Sequence, residues 1–265
     1  MMNKALFQGA ALGCFFIALW LSLSQIDFMR IFQVEKTSET TEEKLGKLFW
    51  ETIQDSETII THDSVNKNVR KIIDRISQKN SIDGKKIKLH IVRDSDINAF
   101  AMPDNHLIVF SGLIADCENE SELAGVLGHE IAHMQKKHVM KKLIREVGLS
   151  VLLSMTTGGG GSQAVKEAAR HLSASAYDRT LETEADLASV DYLVKAGINP
   201  APFADLLFRM STSDAVPAGF YWISSHPESE ERAKEILKYA KGRKGTSKRI
   251  LTSAEWASLK KASAE

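Results

Sequence analysis

His129-Glu130-Ile131-Ala132-His133 decides the reading of this chain. It is an HExxH sequence in a segment expected to be helical. Residues four apart on an α-helix are offset by roughly 40° about its axis, so His129 and His133 face the same way, one turn apart. Two imidazoles so placed can hold one zinc ion, and Glu130 beside them can reach a water on that ion. Zinc lowers the pKa of bound water from about 15.7 to about 7, and a carboxylate completes the deprotonation. The chemistry to expect is attack on a polarised carbonyl, as in peptide-bond hydrolysis. An HExxH on an amphipathic helix arises by chance without any metal, so the reading depends on a third ligand and on partners that orient the histidines.

The flanks support a helix. Asn119 with Glu122 three residues on reads as a capping box. Glu118, Glu120 and Glu122 crowd its start, and Lys136, Lys137, Lys141, Lys142 and Arg145 crowd the later turns, which suits the helix dipole. Leu123, Val126, Leu127, Ile131 and Met134 recur at helical spacing. The longer pattern HExxHxxGxxH is excluded, because Lys136 stands at the glycine and Val139 at the last histidine. His138 is off by one and lies roughly 180° around a continuous helix from His129, so it is expected on the surface. The basic residues of 136–145 face solvent, or anionic lipid or substrate.

A third ligand is sought in Tyr177-Asp178-Arg179-Thr180-Leu181-Glu182-Thr183-Glu184-Ala185-Asp186. Glu182 and Asp186 are four apart and share a helical face, while Glu184 points elsewhere. One carboxylate can bind the metal while the other orients a metal-bound histidine through its second ring nitrogen. A solvated acidic helix start has the same spacing.

HEIAH followed by this YxRxxExEAD stretch resembles metallopeptidase family 48, the zinc gluzincins of the HtpX-like, CaaX prenyl endopeptidase-like and BepA-like groups. Two further segments carry the resemblance: Asn98-Ala99-Phe100-Ala101-Met102-Pro103 through Ser111-Gly112-Leu113, and Ser225-His226-Pro227-Glu228 with Arg232. It covers about residues 60–240. The resemblance implies His129, His133 and Glu182 as ligands of one zinc ion per chain, Glu130 as general base, and Asp186 as the partner that orients a ligand. The one departure is Tyr-Asp-Arg where Tyr-Ser-Arg is common.

The whole chain sets bounds. At 265 residues with 43% hydrophobic content, one domain with a real core is the prior. The formal net charge is zero, so neither nucleic acid nor a strongly acidic substrate is implied as partner. Cys14 and Cys117 are too few for a disulfide framework, and Cys117 reads as a small buried hydrophobe. Residues 5–23 run without charge behind Lys4, orienting the rest of the chain outward. Residues 1–24 are thus a signal peptide cleaved near Ser22-Leu23-Ser24, a retained membrane anchor, or a segment lipidated at Cys14. Residues 25–44 read as a polar linker, 45–240 as the metallopeptidase domain, and 241–265 as a basic tail with a short helix around Trp256.

Within that domain, Leu45, Leu48, Phe49, Thr52 and Ile53 mark one helix, and Val65, Val69, Ile72, Ile73 and Ile76 another. Ile87, Leu89 and Ile91 alternate as a half-buried strand. Pro103-Asp104-Asn105 is a turn between residues 97–101 and 107–110, predicting a hairpin. Its outer strand, with Asn98, Ala99 and Phe100, is the candidate edge for an extended peptide substrate. Residues 201–210 and 228–239 are further helices. Residues 147–155 are apolar but too short to span a bilayer. With Gly158–Gly161 they form either a lid over the cleft or a plain loop. His226, before Pro227 at an expected helix start, either donates to an oxyanion, fills the open metal position at rest, or only caps the helix. Arg232 pairs with a site carboxylate or with Glu228.

The fold expected is α+β and zincin-like, mainly helical, with a small mixed sheet whose edge strand faces the cleft. The function expected is a zinc endopeptidase of the cell envelope, on the outer face of a membrane, acting on exposed segments of misfolded or misassembled proteins. That substrate class is implied by the resemblance. The rival is a chaperone-like or adaptor protein with a structural or latent zinc site.

Overall fold

The computed structural model describes residues 34–159, 161–212, 222, 225–227, 229–243 and 249–264. The apolar run 5–23 lies outside them. The chain divides into Met1–Thr41 and Glu42–Glu265, and all packing described below lies within the second unit. Helix α1 (Val34–Ser56) is followed by α2 (Asp63–Lys79), whose Val65, Val69, Ile72, Ile73 and Ile76 are buried at the predicted spacing. Three short strands come next: β1 (Lys88–Val92), β2 (Ala99–Met102) and β3 (His106–Phe110). β3 is central, parallel to β1 and antiparallel to β2, so the sheet is mixed and β2 is an edge. The hairpin turns at Asp104 and Asn105, both at positive φ (61° and 57°). Two successive left-handed residues match the twist of a tight hairpin.

After α3 (Ser111–Asp116) comes α4 (Glu120–Gln135), the helix of the HExxH sequence. Asn119 caps it, its Oδ1 accepting from the Ser121 and Glu122 N–H groups at 3.0 and 3.1 Å. Glu122 reaches back, accepting from the Glu118 N–H at 2.9 Å. Every residue of α4 from Glu122 to Met134 is buried. The helix is therefore central rather than amphipathic, as a helix enclosed on all sides must be. Its neighbours are α2, β2, α8 (Arg179–Ala196) and α9 (Ala201–Thr212). Gly125 permits this crowding: a Cβ there would lie 2.3 Å from Phe203 Cβ on α9. Its carbonyl accepts from Ser189 Oγ of α8 at 3.0 Å. That seam places Glu182 and Asp186 opposite His129.

Three expectations differ from the structure. The polar stretch 35–43, read as linker, belongs to α1. Thr, Ser and Glu residues carry no strong breaker, so polarity alone does not interrupt the helix. The HExxH helix does not continue through the basic run. It stops at Gln135, Lys137 turns through φ 58°, and α5 (His138–Glu146) sets off anew. The apolar part of the segment 147–161, read as lid or loop, forms α6 (Leu149–Thr156), and α7 (Ser162–Ala174) follows the segment. The last helix before the tail is α10 (Ser229–Ala240). The C-terminal helix α11 (Ser253–Ala264) docks on the body. Lys71 pairs with Glu255, Glu120 accepts from the Ile250 and Leu251 N–H groups at 2.8 and 2.7 Å, and Lys260 Nζ donates to the Ala115 and Cys117 carbonyls. Among the described residues no helix is long and apolar enough to cross a membrane.

Gly125→Ala should destabilise the protein. Alanine gains up to about 1 kcal/mol in helix propensity, but overpacking against Phe203 costs about 1–3 kcal/mol. Urea denaturation should show a lowered midpoint, partly restored by Phe203→Leu. A midpoint at or above that of the parent chain would mean that α9 moves aside freely.

Candidate active site

His129 and His133 project from one face of α4, and Glu182 and Asp186 from one face of α8. The two His Nε2 atoms lie 2.9 Å apart. Glu182 Oε1 lies 3.3 Å from His133 Nε2, and its Oε2 lies 3.6 Å from His129 Nε2. A third imidazole enters the same cluster. His226 Nδ1 is 2.9 Å from Glu182 Oε1 and 3.2 Å from His129 Nε2. One donor atom from each of His129, His133, Glu182 and His226 falls within 4.8 Å of the others, and all four residues are buried.

This donor set fits a zinc ion. Ring nitrogens of three imidazoles converge on one point with a carboxylate. A borderline-soft divalent cation takes just such nitrogen and oxygen donors, four at a time.

The surrounding charges fix the cluster. Asp186 Oδ1 lies 2.9 Å from His129 Nδ1. A proton on Nδ1, held by this carboxylate, leaves Nε2 with its lone pair directed at the cluster. Arg232, from α10, holds both carboxylates. Its Nε and Nη2 donate to Asp186 at 2.8 Å each, its Nη1 lies 2.8 Å from Glu182 Oε2, and Nη1 also donates to the His226 carbonyl at 2.9 Å. Of the two pairings expected for Arg232, the one with the site carboxylates is present. Burial alone would raise the Asp186 pKa, but Arg232 and His129 outweigh it and hold it at about 2. Glu182 is likewise held well below its ordinary value, by His226 and Arg232 against burial. Burial lowers His129 too, but Glu182 and Asp186 raise it overall, whereas burial prevails at His133 and pushes it well down.

Glu130 is fully buried, and its carboxylate is held at both oxygens. Oε2 accepts from the Ala101 N–H of β2 at 3.0 Å, and Oε1 from Trp222 Nε1–H at 3.2 Å. Phe110 N–H donates to the Asn98 carbonyl at 3.0 Å. By the alternation of an antiparallel ladder, the backbone groups of Ala99 and Ala101 then turn to the free edge. Asn98, Ala99 and Phe100 are thus placed on the edge strand beside Glu130. Asn98 and Phe100 direct their side chains to one face of the sheet, and Ala99 presents backbone to the cleft. The edge is partly taken, because Trp222 N–H donates to the Ile97 carbonyl at 3.2 Å.

His226 is not at a helix start. Its N–H donates back to the Trp222 carbonyl at 2.8 Å, closing a preceding turn, and α10 begins only at Ser229. His138 is not on the surface either. The break at Lys137 swings it inward, where it is buried with Nδ1 3.1 Å from His133 Nδ1. If His133 presents Nε2 to the cluster, its Nδ1–H donates to His138, whose Nε2 lies 3.4 Å from Glu184 Oε2. Burial holds the His138 pKa down, to about 4, so its ring is neutral and can accept.

Further residues at the site carried no role in the sequence reading. Tyr177 stacks on His133 with ring centroids 4.0 Å apart, and burial raises its phenol well above the usual value. Lys142, in the run expected to face solvent, is buried. It donates to the Leu172 and Ser175 carbonyls at 2.9 and 2.5 Å, and its ammonium stands 4.1 Å from the Tyr177 ring centroid. Burial lowers its pKa to about 8. Spacing from the motif is a weak signal for Lys142, because the helix break at Lys137 changes which way the following residues face.

Comparison with known proteins agrees with this geometry. Residues 63–240 match the sequence model of peptidase family M48. The chain is 29% identical over 171 residues to mitochondrial metalloendopeptidase OMA1 of Schizosaccharomyces pombe, covering 63% of this chain and 51% of that protein. It is 31% identical over 163 residues to metalloprotease YcaL of Escherichia coli, covering 59% and 63%. A putative beta-barrel assembly-enhancing protease of Vibrio cholerae is 30% identical over 133 residues, covering 46% and 28%. The chain thus spans less than two thirds of the length of each of these relatives.

Partners that orient a metal-bound histidine are worth roughly 10- to 100-fold in affinity. Asp186→Asn and His138→Ala should each weaken zinc binding by about that factor, read by competition with a chromophoric chelator. Unchanged affinity in Asp186→Asn would mean that His129 needs no partner. Unchanged affinity in His138→Ala would confine that ring to packing.

Proposed function

The chain belongs to peptidase family M48, and from that premise we propose that it is a zinc-dependent endopeptidase. The observation that carries this is the convergence of His129, His133 and Glu182 beside a buried glutamate that touches the edge strand of the sheet. In this reading His129, His133 and Glu182 hold one zinc ion per chain and Glu130 is the general base. Bound there, zinc would polarise the scissile carbonyl and acidify a water. The chain's own residues do the rest. Asp186 holds the Nδ1 proton of His129, and Arg232 keeps Asp186 and Glu182 ionised and in place. A peptide laid along β2 pairs with the outward backbone groups of Ala99 and with the Ala101 carbonyl. Glu130 Oε1, released from Trp222, takes the proton of the attacking water and returns it to the leaving amine.

His226 supports a resting form of the same enzyme. Its ring lies in the donor cluster with Nε2 3.4 Å from Glu130 Oε1, in the space that a water and a carbonyl would need. We assign it as the resting occupant of the fourth position, ahead of the oxyanion role. For compartment and substrate, the charge-free run 5–23 favours delivery to the outer side of a membrane. A cell-envelope enzyme acting on exposed segments of misfolded or misassembled proteins fits that delivery. It fits also a relative named for enhancing beta-barrel assembly.

Purified full-length chain should hold about one zinc and cleave unfolded casein. Glu130→Gln should keep the metal and lose activity by about 100- to 10,000-fold, while Glu182→Ala should lose most of the metal. Near-parental turnover in Glu130→Gln would remove the base and favour a binding protein with a structural zinc.

His226→Ala separates its two roles. If only about a tenth of molecules rest open, freeing the position raises turnover about 10-fold. Loss of an oxyanion donor would instead lower it by about 100- to 1,000-fold at equal metal content. Initial rates on one unfolded substrate at matched zinc decide between them.

A further inference from the structure

On the face of the sheet that Asn98 and Phe100 present, a groove of about 510 Å³ runs between β2, the end of α1 and α7. Its floor is apolar, with Phe100, Ile108 and Phe110. Its sheet-side rim is acidic, with Glu57, Asp94 and Asp96. Among the described residues none of these three carboxylates has a basic side chain within ion-pair distance. They crowd one another instead. Burial first, and then the charge of Asp94, raise the pKa of both Glu57 and Asp96.

An independent observation points the same way. Asn98 is 3% exposed and lines this groove, yet among the described residues its Oδ1 has no hydrogen-bond partner. A buried carbonyl oxygen left unpaired costs about 1–3 kcal/mol, so this acceptor favours a ligand that brings a donor into the groove. The acidic loop is also fixed in place. Ser111 Oγ donates to the Asp94 carbonyl at 2.9 Å, and Gly112 N–H does so at 2.8 Å. A Cβ on Gly112 would lie 2.2 Å from the Ser95 carbonyl oxygen, so only glycine lets this loop lie so close.

A strand added to the β2 edge places the side chains opposite Asn98 and Phe100 on the face of this groove. We propose that the groove is a substrate subsite that takes an arginine or lysine side chain close to the scissile bond. The alkyl stem lies on Phe100 and Phe110, and the cationic head donates to Asn98 Oδ1 and to the Asp94, Asp96 and Glu57 carboxylates. An aliphatic stem with a charged tip is the side chain that satisfies an apolar floor and an acidic rim together. Lys166 and Arg170 line the facing wall. They define the opposite outcome, a preference for acidic residues. The proposal rests on the endopeptidase reading above.

The test uses the zinc-loaded full chain and a mixed peptide library, with cleavage sites mapped by mass spectrometry. Lysine or arginine should be enriched at one fixed position within about two residues of the cut. For a matched pair of peptides differing only there, arginine against glutamine, the ratio of kcat/KM should be about 10 or more. In Glu57→Gln/Asp94→Asn/Asp96→Asn that ratio should fall to near 1, and in the parent it should shrink as salt is raised. An acidic preference, no preference, or a basic preference unchanged in the triple variant would each overturn the subsite. If the triple variant fails to fold, Asp96→Asn alone, with parental zinc content, should lower the ratio several-fold, and an unchanged ratio overturns the assignment. Failure of the parent and of His226→Ala to cut any peptide would overturn the endopeptidase reading itself, a result distinct from cleavage without preference.

Discussion

The buried ion cluster of Glu182, Asp186 and Arg232 is the constraint on which the rest of this structure depends. Two carboxylates and a guanidinium with almost no access to water are costly unless every lone pair and proton is used. Here Arg232 donates to Asp186 and to the His226 carbonyl, and its Nη1 lies 2.8 Å from Glu182 Oε2 as an ion pair. One negative charge remains in excess, set against a cluster of imidazoles. That residual charge suits a divalent cation held among three histidine rings. The helices obey the same demand. α8 and α10 must meet with Asp186 facing Arg232, and α8 must press on α4 through the Ser189–Gly125 hydrogen bond, before the site exists.

Legibility in the sequence follows periodicity. His129 and His133 are readable because i,i+4 on a helix puts two side chains on one face, and Glu182 with Asp186 for the same reason. The hairpin is readable from its turn residues, and α2 from its apolar spacing. What escapes depends on long-range packing or on unmarked breaks. Lys137 adopts φ 58° with no glycine or asparagine to announce it, so a continuous helix is the natural reading and puts His138 on the surface. Tyr177 and Lys142 reach the site from sequence positions whose only clue is membership in a motif or a basic run, and Trp222 from a position outside any motif. The polar start of α1 escapes because composition reports exposure more directly than backbone conformation.

The fate of Glu130 links the pieces. A glutamate beside a metal must be held precisely enough to act and loosely enough to take a proton. The Ala101 N–H and Trp222 Nε1–H groups place its two oxygens. One donor belongs to the strand that would pair with a peptide, and the other to the segment that ends in His226. Glu130 is therefore tied by hydrogen bonds both to the β2 edge and to the segment that carries His226.

That coupling bears on how the site would open. Trp222 occupies the Ile97 carbonyl and a Glu130 oxygen, while His226, four residues on, sits in the donor cluster. A peptide strand arriving at β2 would compete for the Ile97 carbonyl with its own N–H, exchanging one backbone hydrogen bond for another at little net cost. A water arriving at Glu130 would likewise replace the indole N–H. Each hydrogen bond that the segment gives up is thus replaced by one of the same chemical kind from substrate or water. The barrier to opening then lies in moving Trp222 out of its buried seat against Phe203 and His129, an apolar cost that a substrate with bulky or long side chains along the β2 edge is best able to offset.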